Sequence, residues 1–332
     1  MNSNGILANI LGSVPGQRTQ TNGAAAVNQS NVLLFQGATT SLGAATQTVT
    51  QTQIKNPNGL PMHNLYIQLT VTDTTGATTA PSGVNSIETA LTLFTITGQS
   101  GRQLMNVIPN ANDKFRRLQH RFNSNGYYNT PPTPADSSTS TAYSESYNVL
   151  LGNWVIDPSE FPLTVQYTFN TLSSRATTLN SMTSTASVTA YADFVKLASA
   201  MPRSVIRVKP VTGITATNFD FSTYLDSAPI IDVSLDVGST DTAIASGTGA
   251  INIAVNNNSL VPNTGYQTII NQEDRLYNIS TPHITGYFPF NVLNGMQVLN
   301  PANQKDTLQV NFASAPNCVT SGEADLIMVE AY

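Results

Sequence analysis

The chain is short of charge. Its 332 residues include 14 Lys and Arg and 19 Asp and Glu, 10% in all, against about 25% in an average soluble domain. Long exposed helices rely on Glu and Lys, so the shortage argues against a helical protein. The net charge of −5 leaves no basic face for coating nucleic acid, and no specific nucleic-acid partner is expected. Cysteine is nearly missing. Cys318 alone supports neither an intramolecular disulfide nor a thiolate zinc cluster, and it reads as a small packed side chain. No run approaches the roughly 18 apolar residues of a membrane-spanning helix. From Met1 to Gly16 there is no basic region, and Asn9 breaks the apolar stretch Ile6–Leu11, so a secretory signal is not expected and synthesis in a cytosol is.

What is present points to strands. Hydrophobic residues make up 40%, enough for a core, and Thr, Val, Ile, Tyr and Phe favour extended backbone. From residue 31 onward the apolar residues recur at every second position. The clearest case is Leu65, Ile67, Leu69 and Val71, with Tyr66, Gln68 and Thr70 between them. Val165/Tyr167/Phe169, Ile231/Val233/Leu235/Val237, Ile251/Ile253/Val255 and Leu308/Val310/Phe312 repeat the pattern, as half-buried antiparallel strands do. In Glu88–Thr97 the phase slips from Leu91/Leu93 to Phe94/Ile96, which predicts a bulge. Breaks such as Asn56-Pro57-Asn58-Gly59 and Val261-Pro262-Asn263-Thr264 separate the strands.

Helical spacing is confined to short pieces. Phe115, Leu118 and Phe122 predict a helix over Asn112–Phe122, and Tyr266, Ile269, Ile270 and Tyr277 give a weaker pattern over Thr264–Tyr277. Residues 1–30 read as an N-terminal tail. Within it Ile6, Leu7, Ile10 and Leu11 lie on one face of a short helix. They form either a chance cluster in a disordered end or an amphipathic foot for a neighbouring subunit or a lipid surface. Residues 123–145 form a long loop of Asn, Gly, Tyr, Pro, Ser and Thr, a length that marks a functional or decorative segment.

A faint internal duplication organises the rest. Val155, Pro158 and Phe169 match Val298, Pro301 and Phe312 at an offset of 143. Ala192-Asp193-Phe194-Val195 matches Ala324-Asp325-Leu326-Ile327 at 132, and Ile67/Leu69/Val71 matches Val233/Leu235/Val237 at 166. Order and facing parity are kept. The predicted fold is all-β: two tandem eight-stranded antiparallel jelly rolls with short helical insertions. The first covers residues 31–200 with the loop 123–145, and the second covers 201–332, opened by the strand at Ile206 and Val208.

Chemistry is sparse. His63, His120 and His283 are scattered, with no second histidine at metal-binding spacing. Gly98-Gln99-Ser100-Gly101 has the wrong spacing for a nucleophile elbow, and no phosphate loop or dinucleotide fingerprint is present. Asp232, Asp236 and Asp241 are weak calcium candidates, since calcium takes oxygen ligands. Asp157 and Glu160 flank a turn at Pro158, where capping is the default reading and glycosidase-like pairing a remote one. Lys114, Arg116, Arg117 and Arg121 make the one dense basic patch, read as a solvated helix face or an inter-subunit contact. Arg203, Arg207 and Lys209 share a strand face read as exposed or inter-subunit. No cofactor and no catalytic residue are expected, so the chain is read as non-enzymatic.

The duplicated β unit, the apolar tail, the helix ahead of the Trp154 strand and the loop 123–145 together resemble the double jelly-roll major capsid proteins of tailless icosahedral membrane-containing bacteriophages, finnlakevirus-like or corticovirus-like. The resemblance implies a virion shell protein that forms pseudo-hexagonal homotrimers. It implies contacts with neighbouring capsomers and with minor capsid proteins such as penton or spike. Residues 123–145 would then stand outward, and Ile6, Leu7, Ile10 and Leu11 would face inward, towards an internal lipid membrane or a neighbour. Polar, weakly charged faces suit closely spaced copies, because their hydrogen bonds carry no long-range repulsion. A receptor-binding spike or adhesin module is the alternative, and a glycan-processing enzyme on tandem jelly rolls a remoter one.

Overall fold

In a computed structural model of the chain, the residues described are 27–57, 59–76, 79–107, 142–151, 155–196, 204–211, 217–225, 229–236, 250–265, 268, 287–290, 306–312 and 324–331. The first half holds β1 (Val27–Gln36), β2 (Thr40–Ser41), β3 (Gln47–Ile54), β4 (Met62–Thr74), β5 (Ser82–Val84), β6 (Leu91–Thr97), β7 (Gln103–Val107), β8 (Ala142–Leu151), β9 (Leu163–Phe169), β10 (Ala176–Thr178) and β11 (Thr183–Val195). The second half holds β12 (Ser204–Val211), β13 (Asn218–Asp220), β14 (Ile230–Asp236), β15 (Ala250–Val255), β16 (Asn258–Gly265), β17 (Tyr287–Phe290), β18 (Leu308–Phe312) and β19 (Ala324–Ala331). Single 3₁₀ turns sit at Ile87–Ala90, Pro158–Glu160, Leu172–Ser174 and Ser222–Tyr224.

The two halves are wound alike. In the first, one sheet runs β1-β11-β4-β8 and the other β3-β9-β6-β7; in the second, the sheets run β12-β19-β14-β17 and β13-β18-β15-β16. The short β2, β5 and β10 lie off this framework. Counting the remaining strands of each half in chain order, both halves read 1-8-3-6 and 2-7-4-5. That is the jelly-roll winding, in which two antiparallel sheets are interleaved along the chain. The two rolls are joined edge to edge. Met105 of β7 and Val208 of β12 make a parallel pair, so one eight-stranded sheet continues from β3 to β17.

Period-two patterning explains which face packs. On β4, Leu65, Ile67, Leu69 and Val71 are buried while the residues between them are half-buried. They meet Phe94 and Ile96 of β6 and Val165, Tyr167 and Phe169 of β9 in one apolar core. The expected bulge is present, since the β6–β9 register shifts between Leu91 and Leu93. In the second half Ile253, Val255, Leu308, Val310, Leu326 and Met328 are buried in the same alternating fashion. Between β15 and β16 the chain reverses through Asn256 and Asn257 with φ of 51° and 63°, the left-handed pair that a tight hairpin turn requires.

The repeat read from sequence falls on equivalent strands: β4 with β14, β9 with β18, β11 with β19. One residue-level match is out of register. Leu69 lies opposite Val188 and Leu235 opposite Leu326, so the offset is 166 on one strand and 138 on its partner, not 132. The slip is even-numbered and keeps each strand's apolar face inward. Three boundaries also move. β1 starts at Val27, inside the segment read as tail, because Val27 pairs with Val195. β8 starts at Ala142, inside the segment read as loop, because Ala142 pairs with Thr74. Val261–Thr264, read as a break, and Gly265 belong to β16, with Val261, Thr264 and Gly265 paired with Ile253, Ile251 and Ala250, where strand pairing overrides turn-forming residues and a weak helical period. The helix read at Asn112–Phe122 lies outside the described residues.

A buried ion pair closes one end of the first roll. Asp73 continues the inward parity of β4. It receives Arg175 Nη2 at 2.8 Å and Nε at 3.4 Å. Arg175 Nη1 donates to the Ser86 carbonyl at 2.6 Å and to Thr89 Oγ1 at 2.7 Å, tying the 3₁₀ turn to β4. Arg175 has no exposed surface. Asp73→Ala strands that guanidinium in the core, and we expect a loss of about 3–5 kcal/mol, read as a lower urea midpoint at unchanged slope. A loss under about 1 kcal/mol, within the range of exposed pairs, would contradict this assignment.

Candidate functional site at the seam of the two halves

The densest group of charged side chains among the described residues lies where β7 meets β12. Arg207 of β12 donates from Nη1 to Glu330 Oε1 of β19 at 3.1 Å, and from Nε to the Gln103 carbonyl of β7 at 2.8 Å. Arg102, just before β7, places Nη2 2.9 Å from Glu330 Oε2 and Nη1 3.6 Å from Glu160 Oε1. The Arg102–Glu330 contact is a close ion pair and lacks the alignment of a hydrogen bond. Glu160 also accepts from Ser100 Oγ at 3.3 Å, and its carbonyl accepts the Gln99 amide at 2.7 Å. Glu330 is fully buried, and Glu160 and Arg207 nearly so. Gly98 fits here because a Cβ at that position would collide with the Glu160 carboxylate.

This placement corrects the reading of the β12 face. Arg207 is not exposed but faces the seam, because β7 covers it. Lys209 is half-buried and donates to the Tyr224 carbonyl at 3.0 Å; Arg203 lies outside the described residues. Asp157 caps the turn as expected, taking the Ser159 amide at 2.9 Å and its hydroxyl at 2.7 Å. Glu160 turns instead to Arg102, so the two carboxylates serve different partners. Asp232 stands opposite Val329 and Asp236 opposite Asp325 on the backbone of β14. Asp241, the basic residues Lys114, Arg116, Arg117 and Arg121, and the tail residues Ile6, Leu7, Ile10 and Leu11 lie outside the described residues. Among the described residues no three His, Cys, Asp or Glu side chains converge as metal ligands, and no helix is long and apolar enough to cross a membrane.

A second polar centre anchors β1. Asp193 of β11 accepts the Asn31 amide at 2.8 Å, Asn64 Nδ2 at 2.8 Å and the Tyr66 hydroxyl at 2.9 Å. Burial, and then the bond to the Asp193 carboxylate, pushes the Tyr66 phenol up to about 12. Beside it, His63 Nδ1 lies 3.1 Å from Asn64 Oδ1, and burial holds its pKa below the ordinary value. Asp73 and Glu330 were visible in the sequence as acidic residues in phase with apolar ones, Leu69/Val71 and Leu326/Met328. Arg102 and Arg175 sit at turns and carried no such signal.

Protein-family models give no match to this chain, and curated proteins give none. Solved structures do. The major capsid protein of Sulfolobus turreted icosahedral virus superimposes with a TM-score of 0.51 at 10% identity, over 92% of this chain and 95% of that one. A chain in the atomic structure of the same virus gives 0.53 at 11% identity, over 89% and 88%. This is the double jelly-roll fold. The major capsid protein of bacteriophage PM2 also aligns, at a TM-score of 0.46 and 11% identity over 91% and 97%. In this double jelly roll the seam is the place where two turns of the first roll, at Arg102 and at Glu160, meet two strands of the second.

Two outcomes follow from the geometry. The folded Tyr66 phenol keeps its proton to about 12, against 10.0 for a free one. Its contribution to stability is therefore whole below pH 10 and fades as pH rises to about 12. Tyr66→Phe is expected to remove one tyrosinate step near pH 12 from the ultraviolet titration of the folded protein; coincident titrations would refute the Asp193 anchor. Gly98→Ala displaces Glu160 and lowers stability by about 1–3 kcal/mol, and the same substitution made in a Glu160→Ala background is expected to cost less. An equal cost in both backgrounds would place the strain elsewhere.

Proposed function

We propose that this chain is the major capsid protein of a tailless icosahedral virus and a structural component of its virion shell. Residues 27–200 and 201–332 act as its two jelly rolls. The observation that carries the reading is the repeated winding, 1-8-3-6 with 2-7-4-5, in two halves fused through one sheet. Such a subunit presents two similar bodies in fixed relation. Three copies around an axis then give six similar bodies and a pseudo-hexagonal outline, which tiles a surface. The low charge and the hydroxyl pairs on strand surfaces, Thr70 with Ser146 and Thr72 with Ser144, suit lateral packing of many copies without mutual repulsion. The likeness in fold to the viral proteins above supports the same reading.

In this proposal the partners are further copies of the chain and the minor proteins of the shell, such as penton or spike. The tail, through Ile6, Leu7, Ile10 and Leu11, meets the inner membrane or a neighbouring subunit. Light scattering is expected to give a mass of about 106 kDa, three times 35.4 kDa; a monomer that binds glycans would instead favour a spike or adhesin. Deleting residues 1–15 should leave a folded trimer that neither assembles nor binds vesicles, and normal assembly of that truncation would reject the tail's role.

A further inference from the structure

Among the described residues, the backbone junction between the rolls is slight. Met105 with Val208 is the one residue pair in register between β7 and β12, whereas β12 pairs with β19 over its full length, from Ser204–Ala331 to Val211–Ala324. A single parallel pair leaves the register weakly specified: a slide by two residues would keep every side chain on its own face. Against this stands a dear arrangement, two guanidiniums and two carboxylates largely removed from water. Buried ion networks of this kind commonly add little net stability over apolar residues of similar volume, and a register-setting role is their best-attested use. Here the bonds point across the weak junction. Arg207 Nε reaches the Gln103 carbonyl at 2.8 Å, and Arg102 reaches Glu330 at 2.9 Å. Glu330 thereby holds one arginine from each roll.

We infer that the Glu160–Arg102–Glu330–Arg207 network is a register lock, which fixes how the second jelly roll is set against the first. A two-residue slide moves Gln103 by about 6.6 Å relative to Arg207 and breaks both cross-seam contacts at once, leaving buried charges unpaired. The lock therefore acts by penalising wrong registers more than by stabilising the right one. The inference stands on the seam geometry and does not depend on the capsid reading.

The test measures orientation separately from stability. Spin labels are placed on the exposed Thr46 of the first roll and Asn258 of the second, with Cys318→Ser removing the native thiol. The unaltered network is expected to give one narrow label-to-label distance. Replacing all four members (Arg102→Met, Glu160→Gln, Arg207→Met, Glu330→Leu) is expected to keep cooperative unfolding at an undiminished urea midpoint, yet to lose the single distance. A narrow, unshifted distance in that variant overturns the inference. Should the fourfold variant not fold, Arg207→Lys decides. It keeps the charge beside Glu330 but loses the Nε donor to Gln103, and a broadened distance supports the lock while an unchanged one overturns it.

Discussion

Everything in this molecule depends on one edge-to-edge meeting of strands. β7 ends the second sheet of the first roll and β12 opens the first sheet of the second, and their contact turns two sandwiches into one continuous body. With it, the two rolls share one eight-stranded sheet. A sandwich alone exposes the edges of its sheets. Joining two rolls covers one edge of each, which reduces the surface on which stray strands can pair.

The scarcity of charge takes on meaning once the charges are located. Asp73, Asp193, Glu160, Arg175, Arg207 and Glu330 are all buried, in a chain that has few ionic groups to begin with. They sit where strands end or where separate elements meet: a turn against β4, the start of β1 against β11, one roll against the other. Apolar packing is tolerant of small slides, because one methyl replaces another at little cost. Ionic and hydrogen-bonded contacts are not, since a misplaced partner leaves a buried charge unsatisfied. The apolar faces drive collapse, and the buried polar groups select among collapsed arrangements. The outer faces carry Thr, Ser, Asn and Gln, whose cross-strand hydrogen bonds satisfy the side chains without building a field.

Sequence reading reached the strands through their period of two. Leu65 to Val71, Val165 to Phe169 and Leu308 to Phe312 were assigned to the correct strands with the correct inward faces. The phase slip from Leu91/Leu93 to Phe94/Ile96 marked a real bulge, which lies between Leu91 and Leu93. The duplication was legible because equivalent strands must bury equivalent faces, and that constraint outlasts residue identity. The boundaries were less legible. Val27–Ser30 and Ala142–Glu145 look like tail and loop in isolation and become strand only because β11 and β4 offer them hydrogen bonds. The match of Ala192–Val195 with Ala324–Ile327 found the right pair of strands in the wrong register. Parity tells faces apart but does not distinguish shifts of two, four or six.

The sequence by itself determined the class of structure, the inward faces of strands such as β4, β9 and β18, and the fact of repetition. All of these follow from local alternation, which a linear chain records. Tertiary structure alone decided the register of β11 and β19, the meeting of β7 with β12, and the pairing of Arg207 with Glu330 and Arg175 with Asp73. Those partners lie 123 and 102 residues apart. No periodicity connects residues at such distances; they are brought together by the winding of the whole chain, and their chemistry exists only after it.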